Sequence, residues 1–132
     1  MIALDTNIIV RLIVEDDARQ AAAAERLLLE TAEAGETALI TDPVLCEVVW
    51  VLGSTYRVPR ARIADALQAL LNEEVLEFED RDVIRGALEA YRHSKAGFSD
   101  YLIGLRARSH GARTTYTFDR TVARHEVFSL LK

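Results

Sequence analysis

Four acidic residues stand where an acid is least expected. Asp5 closes the short apolar run IALD, and Glu47 is the single charge inside VLCEVVWVL. Asp100 opens the mostly apolar FSDYLIGLRA, and Asp119 directly follows TTYTF. A carboxylate inside a segment that reads as buried is costly unless a cation or several donors partner it. One partner for Glu47 would be an arginine such as Arg11; the other would be a bound ion. Carboxylates without histidine or cysteine among them suit a hard cation, magnesium or manganese. An acidic pocket holding one or two such ions is a device for phosphodiester hydrolysis, because the ion lowers the pKa of the attacking water and stabilises the leaving oxygen. Asp is also a favoured helix N-cap, so Asp5 and Asp119 have a purely structural reading as well.

The elements that must position these acids alternate along the chain. Residues 2–5 read as a buried strand, and 7–14 as a helix for which Thr6 and Asn7 offer the cap. A second helix spans 17–35, with an acid at its start and a glycine at its end. Residues 37–41 form the next strand. Asp42 as N-cap and Pro43 at the first helical position then open a helix over 42–56. Another helix is expected over 59–74, a strand over 75–79, and helices over 80–94 and 99–111. Residues 114–118 read as a strand, followed by a short helix after Asp119 and a fifth strand near 127–131. Strands separated by helices imply an α/β fold with a parallel sheet covered on both faces. Ligands bind such sheets at the carboxyl ends of the strands. Asp5 and Asp119 fall at that edge, and Glu47, one turn into its helix, and Asp100, in the first turn of its own, lie near it. Gly104, four residues after Asp100 on the same helical face, would leave room for an ion or permit close packing.

Composition narrows the class of protein. The chain has 132 residues, of which 50% are hydrophobic, enough for the core of one domain over 1–132 and too apolar for a disordered chain. No apolar run approaches the roughly 20 residues that span a bilayer. The start MIALDTN lacks the basic segment of a signal peptide, and the lone Cys46 precludes an internal disulfide. A cytoplasmic location with no membrane association is therefore expected. The net charge of −5 argues against a protein that coats nucleic acid non-specifically. The charge is uneven, with acids concentrated over 15–36 and bases from Arg106 onward. That leaves open a locally basic rim or ordinary solvated helix faces.

MIALDTN at the start, VLCEVVWVL after a strand, FSDYLIGLRA, and TTYTFDR near the C-terminus occur together and in order. In this combination the chain resembles a PIN domain, and within that family the VapC-type toxins of toxin–antitoxin pairs. The resemblance covers essentially the whole chain. It implies a three-layer α/β/α fold with a central parallel sheet of four to five strands. It implies a magnesium- or manganese-dependent endoribonuclease, a homodimer, and inhibition by a small antitoxin protein. Asp5, Glu47, Asp100 and Asp119 match the family's acidic quartet, with Asp5 and Asp100 as principal metal ligands and Glu47 and Asp119 completing the site directly or through water. Thr6 and Asn7 match the polar pair after the first acid. Asn7 and Thr117 are expected either to orient an acid or to serve as cap and strand-end residues. The segment RTVARHEVFSLL matches more loosely than the rest, which leaves the register of the last strand open.

His93, His110 and His125 lie near helix ends or loops and read as solvated caps. Cys46 reads as a small buried hydrophobe. Trp50 and Tyr56 read as core or dimer contact. Arg106 and Arg108 suit RNA phosphates, the antitoxin, or merely a helix C-terminus. The helices over 17–35 and 59–74 carry apolar faces that would form core or a groove for a partner helix, and the resemblance favours this region for the antitoxin. Two other functions compete. A phosphatase or phosphotransferase with Asp5 as nucleophile would want a second Asp two positions on, where the chain has Asn7. A non-catalytic binding module of the same fold would show no metal-dependent activity.

Overall fold

The structure is a computed structural model that describes residues 1–132. Its elements run β1 (Ile2–Ala3), α1 (Thr6–Ile13), α2 (Ala18–Glu33), β2 (Ala38–Ile40), α3 (Asp42–Ser54), α4 (Arg60–Asn72), β3 (Leu76–Phe78), α5 (Arg81–His93), α6 (Phe98–Ser109), β4 (Thr115–Thr117) and β5 (Phe128–Leu130), with a 3-10 turn at Val122–Arg124. The chain forms two compact units, Met1–Glu79 and Asp80–Lys132.

In the first unit the strands pair in the order β1-β2-β3, all parallel. Ile2 stands opposite Ala38, and Ala38 opposite Leu76. Parallel neighbours need a crossover that returns the chain to the same end, and here each crossover is a pair of helices, α1–α2 and then α3–α4. Leu4, Ile9, Ile40, Leu45, Val48, Leu52, Leu67 and Leu76 are almost fully buried and form the centre of the core. The helix punctuation follows the sequence closely. Asp17 caps α2 through its bond from the Gln20 N–H (3.0 Å), and Gly35 ends it with φ +71°, a backbone angle that favours glycine.

Two caps differ from the sequence reading. The N-cap of α1 is Asp5, whose Oδ1 accepts the Thr6 N–H at 2.7 Å, so Thr6 is already helical. The N-cap of α3 is Thr41, with Asp42 inside the first turn beside Pro43. The Thr41 carbonyl accepts the first helical bond, from the Leu45 N–H at 3.1 Å. The Asp42 N–H donates to Glu79 Oε2 at 2.6 Å, a partner 37 residues away that no local pattern reveals.

In the second unit, α5 begins at the cap Asp80, which accepts the Asp82 and Val83 N–H groups. Tyr91 and Phe98 meet edge to face at 6.1 Å, a favoured aromatic geometry. β4 and β5 are parallel, with Thr115 opposite Phe128 and Thr117 opposite Leu130, which fixes the register of the last strand. Gly104 lies under this strand. A Cβ there would stand 2.6 Å from the Phe128 ring and 2.7 Å from Val127 Cγ2. Close packing against Phe128 and Val127 therefore explains the mid-helix glycine. The α/β class, the parallel strands and the flanking helices agree with the sequence reading. The five strands hydrogen-bond as a set of three and a set of two.

Candidate active site

The first unit contains a small open pocket of about 240 Å³ lined by Asp5, Thr6, Asn7, Val10, Arg11, Glu47, Val51 and Tyr56. Asp5 reaches it because β1 ends at Ala3 and α1 starts at Thr6, so the cap residue sits at the strand's carboxyl end. Its Oδ1 is held by the Thr6 N–H, and its Oδ2 has no protein partner. Glu47 arrives from the second turn of α3. That helix turns Leu45, Val48 and Leu52 into the core and Glu47, Trp50 and Ser54 to solvent. Glu47 is thus exposed rather than buried. Neither Arg11 nor any other group pairs with it, and both its carboxylate oxygens lack a protein partner. The question raised by a buried charge is resolved by helical geometry, since an apolar run read as wholly buried has one wet face.

Thr6 is buried and Asn7 exposed, and the Asn7 amide makes no hydrogen bond to either acid. Two pocket residues acquire a part that composition did not suggest. Arg11 lines the wall, and its Nε donates to Gln20 Oε1 (2.7 Å) while Nη1 donates to Asp16 Oδ1 and Tyr56 Oη (both 3.0 Å). Tyr56 in turn donates to Asp16 Oδ2 at 3.0 Å, which makes it one corner of a closed triangle. The bond that Arg11 donates to Tyr56, with Asp16 beside it, raises the Arg11 pKa above its ordinary value. The spacing of Asn7, Val10 and Arg11 at i, i+3 and i+4 already places all three on one helical face.

In the second unit, Asp100 occupies the third position of α6. Its Oδ2 accepts the Gly97 N–H at 3.0 Å, and its Oδ1 has no protein partner. Gly97 has no side chain to return the bond, so only half of a capping box is formed. The buried Tyr101 steadies the same turn by accepting the Ala96 N–H at 3.1 Å. Asp119 caps the 3-10 turn: its Oδ1 accepts from the Thr121 and Val122 N–H groups at 2.8 and 3.2 Å, and its Oδ2 is without a protein partner. The Thr117 hydroxyl accepts the Asp119 backbone N–H at 3.0 Å. It therefore holds the main chain of Asp119, not its carboxylate.

Each of the four acids keeps at least one oxygen free of protein partners, and no histidine or cysteine lines the pocket. All-oxygen ligands of this kind fit a hard divalent cation better than zinc. Neither unit by itself gathers three or more His, Cys, Asp or Glu side chains that could hold a metal ion. Arg106 lies 4.0 Å from Asp80, and Arg108 lies 3.4 Å from Glu126, so both are partly neutralised at the end of α6. Burial, with Asp42 nearby, pushes the Cys46 thiol up, away from the reactive thiolate.

The model of the PIN domain family matches residues 2–127. The chain belongs to the PIN-domain family. It is also 25% identical over 117 residues to a VapC ribonuclease from Aquifex aeolicus (strain VF5), covering 89% of this chain and 86% of that protein. No helix of this PIN-domain protein is long and apolar enough to cross a membrane.

Proposed function

We propose that this protein is a divalent-metal-dependent endoribonuclease and the toxin of a toxin–antitoxin pair, folded as a single PIN domain over 1–132. Asp5, Glu47, Asp100 and Asp119 are the residues on which hydrolysis depends. The observation that carries the reading is the pocket of a PIN-family chain in which Asp5 and Glu47 present carboxylate oxygens that no protein group satisfies. Similarity to a VapC ribonuclease supports the substrate class. A bound magnesium or manganese ion would supply Lewis acidity and a water of lowered pKa. The chain's own part is to orient the donors. The Thr6 N–H fixes one oxygen of Asp5, the Gly97 N–H fixes one of Asp100, and the Thr121 and Val122 N–H groups fix one of Asp119.

The antitoxin would dock on a second surface of the first unit. A groove of about 910 Å³ lies between α1, α2 and α4, with Leu12, Leu28, Leu29 and Leu70 on its walls and Glu25 and Glu74 among its polar lining. Its shape and chemistry suit an amphipathic helix with an apolar face and basic flanks. We extend the proposal to a cytoplasmic homodimer, for which Trp50, 67% exposed, offers apolar surface. The test is incubation of purified, antitoxin-free protein with structured RNAs, with magnesium or manganese, with chelator, and with Asp5→Asn in parallel. Discrete fragments that require metal and Asp5 are expected. Fragments that persist in chelator or in Asp5→Asn would overturn the metal-site reading, and no cleavage of any RNA would favour a binding module.

A further inference from the structure

Arg11 sits in the wall of an acidic pocket and yet pairs with neither acid that lines it. Its five N–H groups can be accounted for one by one. Nε is taken by Gln20 and both Nη1 hydrogens by Asp16 and Tyr56, which leaves the Nη2 edge without a protein acceptor. The three anchors come from three places: the loop before α2, its first turn, and the residues just after α3. Together they fix the side chain, so its rotamer freedom is already lost before any ligand arrives. A fixed, permanently charged planar donor edge is suited to a phosphate. The pocket's carboxylates cannot bind an anion themselves; Arg11 is its one cationic wall residue.

We propose that Arg11 grips a backbone phosphate of single-stranded RNA next to the phosphodiester that is cut, and that Gln20, Asp16 and Tyr56 hold it in place to do so. The assignment rests on the ribonuclease reading above and adds a substrate-positioning residue to it. The gripped phosphate is a neighbour of the scissile one, because the scissile group must face the carboxylates and their cation. Arg11 therefore serves binding more than the chemical step.

The experiment measures binding apart from cleavage. Fluorescence anisotropy of a labelled single-stranded oligoribonucleotide is followed with magnesium in an Asp5→Asn background, which removes hydrolysis and keeps the α1 cap. Arg11→Gln is expected to weaken binding about tenfold. The slope of log affinity against log salt should shrink by about 0.7, the loss of one single-strand phosphate contact. Arg11→Lys should keep the slope and lose a few-fold in affinity. Asp16→Asn loosens the triangle but retains the cation, so its salt slope should stay unchanged. Affinity and slope that are equal in Arg11→Gln and its parent overturn the proposal, as does the same loss of slope in Asp16→Asn. No measurable binding by the parent overturns it too. Should Arg11→Gln fail to fold, unaltered affinity in Arg11→Lys would overturn it. The wild-type protein is tested for cleavage of the same RNA in parallel. Cleavage without Arg11-dependent binding leaves the ribonuclease reading standing alone. Arg11-dependent binding without cleavage leaves the phosphate grip and removes the nuclease.

Discussion

Asp119 has two roles that substitution can separate. Its Oδ1 caps the 3-10 turn, and its charge is proposed to serve hydrolysis. Asparagine caps nearly as well as aspartate, whereas alanine loses about 1 kcal/mol. Asp119→Asn is thus expected to unfold at the wild-type temperature while losing activity by at least about tenfold, the scale of a lost metal-site partner. Asp119→Ala should lose both. Thermal unfolding and RNA cleavage on the two variants check this, and an active Asp119→Asn would reduce the residue to a cap. Glu47 makes the complementary case. It is exposed and unpaired, so Glu47→Gln should change stability by less than about 0.5 kcal/mol. Activity should nevertheless fall. A buried charge would behave otherwise, because neutralising it would relieve a desolvation penalty and shift the unfolding temperature.

At the scale of elements, Gly104 belongs to packing. An alanine there would gain about 1 kcal/mol of helix propensity. It would also force a methyl to within 2.6 Å of the Phe128 ring, and overpacking of this kind costs about 1–3 kcal/mol. Gly104→Ala should therefore lower the unfolding temperature. A variant that unfolds normally but binds metal more weakly would instead revive the idea of room for an ion. The elements themselves were legible because their signals are local: Asp17 and Gly35 bracket α2, Pro59 precedes α4, and short apolar runs mark the strands. The misreadings have long-range or facial causes. Thr41 takes the cap from Asp42 because its carbonyl accepts the Leu45 N–H, and the Asp42 N–H goes to Glu79, 37 positions away. Glu47 looked buried because α3 is apolar nearly all round, so sequence periodicity hides its solvent face. The Arg11–Tyr56 bond spans 45 positions, and nothing in the neighbourhood of either residue announces it. The acids themselves were legible by type and by motif, while the backbone N–H groups that hold Asp5, Asp100 and Asp119, and the lack of any partner for Glu47, were not.

For the whole molecule, the groove and the metal site make separable demands. Leu29 is 60% exposed on the groove wall, so Leu29→Glu should leave folding intact. It should abolish inhibition by the proposed antitoxin, because that partner no longer binds, which a pull-down with it would read directly; retained capture would move the partner elsewhere. A metal bound at the proposed site would affect the fold itself. The chain carries net charge −5, and acids gathered around one cation would repel each other without it. An ion that binds only the folded state stabilises it by mass action, about 2.7 kcal/mol at a hundred times its dissociation constant. For a chain of this size that is an increase of roughly 10 °C in the unfolding temperature. Part of any shift comes from general screening, so sodium chloride at matched ionic strength is the reference. Magnesium or manganese should exceed that reference in the wild-type protein, and Asp100→Asn should lose most of the excess. An equal excess in Asp100→Asn would show that Asp100 takes no part in holding the ion.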